Sequence, residues 1–462
     1  MSDYATFLDS KTQLDASGGF DPLWMPDFLF DFQTTLTDWA IRQGRAALFA
    51  DCGMGKTPMA LVWAQNVHLH TGKPVLIITP LAVSFQIEQE AHKFGVDAAV
   101  SRDGKVQAPI TITNYEQLEK FTASNFGGVV CDESSAIKSF DGTRRAVVTE
   151  FLRLVQYRLL DTATAAPNDY VELGTSSEAL GYLGHMDMLQ RFFTNRDGHS
   201  NNRLMHRRKG SGPQQNAWRF KGHAEDAFWR WVASWARAIR KPSDYGFSDD
   251  DFHLPPLIIQ EHLVEARQVR DGVLFDLPAA GLHEEREETR RTLNERCEWA
   301  AELISDADSA VMWCHLNDES HLLAKLAPNA VELTGSDSPE EKEEKLLAFG
   351  RGEIQTLVTK PKIGAWGLNW QHCHRMTYFP SHSYEQYYQA VRRMWRFGQT
   401  NPVTVDVVTT PGGANTLANL QRKSTQAERM FDSLIAHMTR AIDIDRTVQY
   451  PHETEVPSWV MS

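Results

Sequence analysis

The chain has few cysteines, and none is placed to staple a secreted scaffold or to hold zinc. Cys52, Cys131, Cys297, Cys314 and Cys373 are odd in number and scattered through apolar or glycine-rich segments, so no disulfide framework is expected. There is no Cys-x-x-Cys pair, which leaves a zinc ribbon without support, and His372-Cys373-His374 reads as a strand end rather than a metal site. No run of eighteen apolar residues occurs, so no membrane span and no membrane partner are expected. Met1-Ser2-Asp3-Tyr4 lacks a basic stretch leading into an apolar one, which sets the expectation of an intracellular, cytoplasmic, non-secreted protein. Positive charge is also scarce, with a formal net charge of −13. That excludes a general polyanion binder, whose affinity comes from neutralising phosphates, but not a local basic groove. Arg203 to Lys221 carries six Lys/Arg and no Asp or Glu, so the charge is uneven along the chain.

A length of 462 residues is long for one core and predicts two or three domains. The most specific stretch is Ala50-Asp51-Cys52-Gly53-Met54-Gly55-Lys56-Thr57, with a short apolar run before it and a helical pattern after it. Glycines let consecutive backbone N–H groups face phosphate oxygens, lysine reaches the β- and γ-phosphates, and the threonine hydroxyl suits Mg²⁺. Ala50 stands where the common pattern has its first glycine, and Pro58 falls in the first helical turn, where it is tolerated. The apolar runs Ala46–Ala50, Val75–Ile78, Gly128–Cys131 and Arg158–Leu160 read as parallel strands covered on both faces. Two of them end in the polar clusters Asp132-Glu133 and Asp161-Thr162-Ala163-Thr164. These should converge on the phosphate loop, because ligands lie at the carboxyl ends of such strands.

Beyond residue 175 the pattern changes. Leu180, Leu183, Met186 and Leu189 mark a helical stretch, the basic segment 203–221 follows, and Phe228 to Trp235 predicts an aromatic helix packed onto the first lobe. Two readings of the basic segment stand: a DNA-touching loop or a surface excursion. The strand-like runs 310–314, 331–333, 355–358, 376–379 and 403–408 then predict a second α/β sheet without a phosphate loop of its own. Asp132 can hold a metal and Glu133 can polarise an attacking water. Arg393 and Arg396 lie three apart on a predicted helix, share one face, and could reach across a cleft to stabilise charge on a transferring phosphoryl group.

The order and content of Phe32-Gln33, Ala50 to Thr57, Ile78-Thr79-Pro80, Ile112 to Glu116, Asp132-Glu133-Ser134-Ser135, Thr162-Ala163-Thr164, Gly364 to Asn369 and Gln389 to Gln399 resemble superfamily II helicase-type ATPases of the Swi/Snf branch. The similarity spans about residues 28–410. The compact size is similar to bacterial and phage-encoded members, acting in a bacterial or phage-infected cell. The resemblance implies ATP and Mg²⁺ as cofactors. Gln33 would read the adenine; Gly53, Met54, Gly55, Lys56, Thr57 and Pro58 would cradle the nucleotide; Thr57 and Asp132 would hold the metal. Lys56, Glu133, Arg393 and Arg396 would be catalytic, and Thr162, Thr164 and Gly367 would couple the site to lobe movement. Thr79, Pro80, Ser84, Asn114, Tyr115, Lys362 and Asn369 would line a DNA backbone groove. The chain departs from the family's pattern in several places. Ser135 replaces a frequent histidine, an extra alanine precedes Pro167, Arg392 stands where many members have aspartate or glycine, and Lys362 where many have arginine.

The expected fold is therefore α/β, with two RecA-like parallel-sheet lobes in tandem and a helical insertion between them. The expected spans are an N-terminal extension (1–27), an ATP-binding lobe (28–175), a mainly helical insertion and linker (176–285), a second lobe (286–445) and a C-terminal tail (446–462). The expected activity is ATP-driven translocation on double-stranded DNA, with forked or single-stranded DNA as further partners. An RNA-dependent ATPase and an ATP-gated DNA-binding subunit with slow hydrolysis remain alternatives.

Overall fold

The apolar runs become two separate parallel sheets. The computed structural model describes residues 18–139, 142–166, 169–195, 218–250, 252–267, 281–364 and 369–447. The basic segment up to residue 217, Pro167, Gly367 and the tail from 448 lie outside the described residues.

In chain order the first lobe holds helix α1 (Asp31–Gln43), strand β1 (Arg45–Ala50), α2 (Lys56–Thr71), β2 (Val75–Thr79), α3 (Ser84–Lys93), β3 (Ala98–Val100), β4 (Ile110–Asn114), β5 (Gly128–Cys131) and β6 (Tyr157–Asp161). A small antiparallel hairpin of β7 (Phe193–Asn195) and β8 (Trp218–Phe220) follows, then α4 (Ala224–Ala233) and β9 (Ala236–Ile239). The sheet order is β3-β4-β2-β5-β6-β1-β9, and every pairing is parallel. Both faces are covered, which is why β1, β2, β5 and β6 carry unbroken apolar stretches; β4 alternates Ile and Thr but is buried along its whole length.

The second lobe contains β10 (Leu257–Leu263), β11 (Ala310–Trp313), β12 (Ala330–Leu333), β13 (Thr356–Thr359), β14 (Arg375–Tyr378), α5 (Tyr384–Arg392), β15 (Val403–Thr409) and the 34-residue α6 (Ala414–Thr447). Its sheet order is β10-β15-β14-β11-β13-β12, again wholly parallel. The two parallel-sheet lobes expected from the sequence are thus present, and every strand-like run named above overlaps a strand, to within one residue at either end.

Each sheet also recruits residues from the segment read as insertion and linker. β9 extends the first sheet beside β1, and β10 forms an edge of the second. The aromatic helix ends at Ala233, so that Trp235 enters the strand connection, and Phe228, Trp229 and Trp231 are buried in the first lobe's core as expected. The helical stretch 180–189 is broken between Gly181 and Gly184 into two helices, Leu173–Leu180 and His185–Phe192. Helix α6 belongs to both lobes. Its Leu420 and Ala427 are buried in the second lobe's core, whereas Met430, Phe431, Leu434 and Met438 are buried with Phe228, Trp231 and Trp235 of the first. Among the described residues no helix is long and apolar enough to cross a membrane. All five cysteines are buried thiols.

Candidate active site

Strand order brings the polar clusters together. β6 lies between β5 and β1, so Asp161 to Thr164 sits between Asp132-Glu133 and the phosphate loop. The loop leaves β1, turns through Gly53 (φ 90°) and Gly55 (φ 79°), and enters α2 with Gly55 as its N-cap. Both glycines are required by space as well as by φ. A Cβ at Gly55 would lie 2.1 Å from the Gln33 carboxamide nitrogen, and one at Gly53 would lie 2.8 Å from the backbone nitrogen and Cβ of Phe397. The Lys56 ammonium donates to the Ala50 carbonyl at 3.0 Å, inside the loop it helps to form. Gln33 is buried; its Oε1 accepts from Phe30 N at 3.1 Å and its Nε2 donates to Met54 O at 3.1 Å. Its carboxamide is thereby held against the phosphate loop. Met54 is buried, while Thr57 and Pro58 in the first turn of α2 are partly exposed.

Asp132 is raised to about 6 by burial and then by the neighbouring Glu133 charge. Thr79 donates to its Oδ2 at 2.8 Å, and the Tyr115 hydroxyl donates to its carbonyl at 2.7 Å. Glu133 lies next to it in the left-handed region, at φ 48°. Thr162 Oγ1 approaches Glu133 Oε2 at 3.4 Å and accepts from Thr164 N at 3.0 Å. Thr164 Oγ1 in turn meets Glu385 of α5 at 3.4 Å, so a hydroxyl chain runs from Glu133 to the second lobe. Asp161, not singled out from the sequence as a site residue, is a third carboxyl group here. It is buried with no hydrogen-bond partner on either oxygen and is raised well above the usual range, by burial first and then by Asp132.

The second lobe supplies the cations. Arg393 is 3% exposed and is lowered to about 10 by burial, in the field of Cys52, Glu133 and Asp132. Arg396 is lowered for the same first reason, and its Nε has no hydrogen-bond partner. Both therefore stand in the field of Cys52 and Glu133 of the first lobe, but not on a helix: α5 ends at Arg392, so the shared helical face expected from their spacing is replaced by the turn that follows it. Gln389 is buried in α5 with no hydrogen-bond partner on either amide atom.

These residues fit a Mg²⁺-nucleotide. The loop presents backbone N–H groups at a helix N-terminus, and Thr57 and Asp132 offer hard oxygen donors. Among the described residues there is no cluster of three or more His, Cys, Asp or Glu for a metal.

A cleft of about 820 Å³ opens between the lobes beside this site. Pro80, Lys362 and Asn369 are among its lining residues. Of the other residues expected on the groove, Tyr115 also lines the cleft, while Thr79, Ser84 and Asn114 do not, which corrects the sequence reading for those three. Thr79 is fully buried and committed to Asp132, Ser84 is buried and donates to the Leu81 carbonyl at 3.0 Å, and Asn114 is buried and caps the turn that begins at Tyr115 by accepting from Gln117 N at 3.1 Å. Tyr115 reaches the wall with its ring, but its hydroxyl faces inward to Asp132. All four end or follow β2 and β4, and residue type at a strand end does not say which way a side chain turns. The wall instead presents Lys93, Arg102, Lys342, Arg351 and Lys362 against Glu90, Glu116 and Glu343, a local cationic excess in a chain of net charge −13. Of these cations, only Lys362 had been picked out from the sequence.

No family model matches the sequence, and no curated protein matches it. Among solved structures, the Mycobacterium smegmatis helicase Lhr bound to ssDNA and AMP-PNP is similar over 85% of this chain and 48% of that one, at 15% identity and a TM-score of 0.48. The Sulfolobus solfataricus SWI2/SNF2 ATPase core in complex with dsDNA is similar over 91% and 99%, at 15% identity and a TM-score of 0.40. The chain spans about half the length of the Lhr chain. With TM-scores below 0.5 these likenesses add no weight to the two-lobe description, which rests on the strand orders.

Proposed function

We propose that this chain is an ATP-driven motor of the superfamily II, Swi/Snf-like type, hydrolysing ATP between its lobes and translocating on double-stranded DNA. The observation that carries this reading is that buried Arg393 and half-buried Arg396, from the second lobe, stand in the field of Cys52 and Glu133 of the first, beside a cleft walled by both lobes. Catalysis then depends on how the lobes sit. Backbone N–H groups from Gly53 to Thr57 and the Lys56 ammonium hold the phosphates, and Gln33 borders the base. Thr57 and Asp132 would hold Mg²⁺, which would supply neutralisation of the phosphates' negative charge. Glu133 accepts a proton from the water whose oxygen attacks the γ-phosphorus, while the bond to the bridging oxygen breaks to leave ADP and phosphate. Arg393 and Arg396 stabilise the charge on the equatorial oxygens, and Thr162 and Thr164 pass the state of Glu133 to Glu385. Lys362 and Asn369 of the second lobe face the DNA backbone from across the cleft.

The test is ATPase activity with duplex DNA, forks, single-stranded DNA and RNA at two salt concentrations. Stimulation by duplex DNA that falls steeply with salt is expected. Stimulation by RNA alone would transfer the reading to an RNA-dependent ATPase. Tight DNA binding gated by ATP with negligible turnover would transfer it to a binding subunit.

A further inference from the structure

We propose that Arg392 and Tyr388 are positioning residues that grip the Asp51 carboxylate and so hold the phosphate loop in register with Arg393 and Arg396. This rests on the ATPase reading given above. Asp51 is the first residue after β1 and is buried. One carboxylate oxygen accepts from the neighbouring Cys52 N at 2.6 Å and from the Tyr388 hydroxyl, while the other accepts from Arg392 Nη2. The Asp51 carbonyl accepts from Met54 N at 3.1 Å, so the residue that shapes the loop's first turn is the one the second lobe holds.

The cation is itself built in. The Arg392 guanidinium lies over the Trp395 ring at 4.3 Å and the Tyr388 ring at 5.2 Å, and Trp395 Nε1 donates to the Pro255 carbonyl at 2.7 Å. A planar guanidinium suits this seat between rings and carboxylate, and a lysine would not. A second contact, Phe397 against Gly53, holds the loop on the far side of Cys52, with Arg393 and Arg396 between the two. A buried ion pair adds little net stability, because desolvation offsets attraction, so the consequence of this one is geometric. It also accounts for arginine at a position where the similar family has aspartate or glycine: its partner is in the phosphate loop.

Four variants test the clamp: Asp51→Asn, Arg392→Ala, Arg392→Lys and Tyr388→Phe. The first and last are near-isosteric and remain informative where Arg392→Ala does not fold. Arg392→Ala and Asp51→Asn should each lower kcat by about 10²-fold with a smaller change in KM for ATP, because the arginines that act in the transition state are displaced. Their double variant should lose no more than the worse single one, and Arg392→Lys should recover part of the loss. In parallel, spin labels at Glu119→Cys and Lys325→Cys, both exposed positions in a chain whose own cysteines are buried, report the distance between lobes. That distance distribution should broaden in Arg392→Ala and Tyr388→Phe. Unchanged kcat, additive losses or an unchanged distance distribution would overturn the clamp. A wild-type protein without ATP turnover would instead overturn the ATPase reading, and the distance measurement would still judge the clamp.

Discussion

Glu133 holds a backbone conformation that costs a side chain bearing a Cβ about 1–3 kcal/mol, and it does so beside Asp132 and Thr162. The turn is enforced from both sides, by Ser134 N donating to the Asp161 carbonyl at 2.9 Å and Ala136 N donating to that of Glu133 at 2.9 Å. Glu133→Gln keeps the shape and removes the base. Single-turnover hydrolysis should fall by about 10²–10⁴-fold while a fluorescent nucleotide still binds, and unchanged hydrolysis would remove Glu133 from the mechanism. Thr79→Val deletes the hydroxyl that orients Asp132 without changing the side chain's volume much. The Mg²⁺ concentration for half-maximal ATPase should then rise by about 10–100-fold, whereas an unchanged requirement would show that Asp132 needs no such support. At this scale the placing of Asp132, Glu133, Arg393 and Arg396 near one another was legible from residue type, whereas Asp161 was not, and the helical spacing of the two arginines was not kept, since α5 ends at Arg392. The duties of Thr79, Tyr115 and Asp51 were not legible either, since each depends on a partner on another strand or in the other lobe.

Among the elements, α6 connects most of the molecule. It begins after β15, buries Leu420 in the second core, and ends its described packing with Met438 Sδ 3.1 Å from Ala238 N of β9. Arg240 pairs with Asp432 and His437 bonds Asp226 at 3.0 Å along the same contact. Any movement of the second lobe must therefore pivot against this helix. Leu434→Ala should destabilise the protein by about 2–5 kcal/mol in urea unfolding, through a cavity among the first lobe's tryptophans. A loss confined to fluorescence of the second lobe would contradict the shared core. The sequence marked most strands, because buried parallel strands are continuous apolar runs. It did not mark β9, four residues following an aromatic helix, or β10, whose Ile258, Ile259 and Leu263 are exposed. Nor can an amphipathic pattern in α6 say that its apolar face is divided between two cores.

At the scale of the whole molecule, two lobes share one candidate active site, one cationic cleft and one helix. Charge is unevenly placed: the cleft gathers Lys93, Arg102, Lys342, Arg351 (itself paired with Glu353) and Lys362 against Glu90, Glu116 and Glu343, in a chain of net charge −13. On the proposed reading, hydrolysis would be coupled to the relative position of the lobes, and hence to DNA held between them. Displacement of a third strand from duplex DNA, followed over tracks of increasing length, tests that coupling most directly. ATP-dependent displacement with a lag that grows with track length, abolished by Lys56→Ala, is predicted. ATP hydrolysis stimulated by duplex DNA but with no displacement at any track length would contradict translocation.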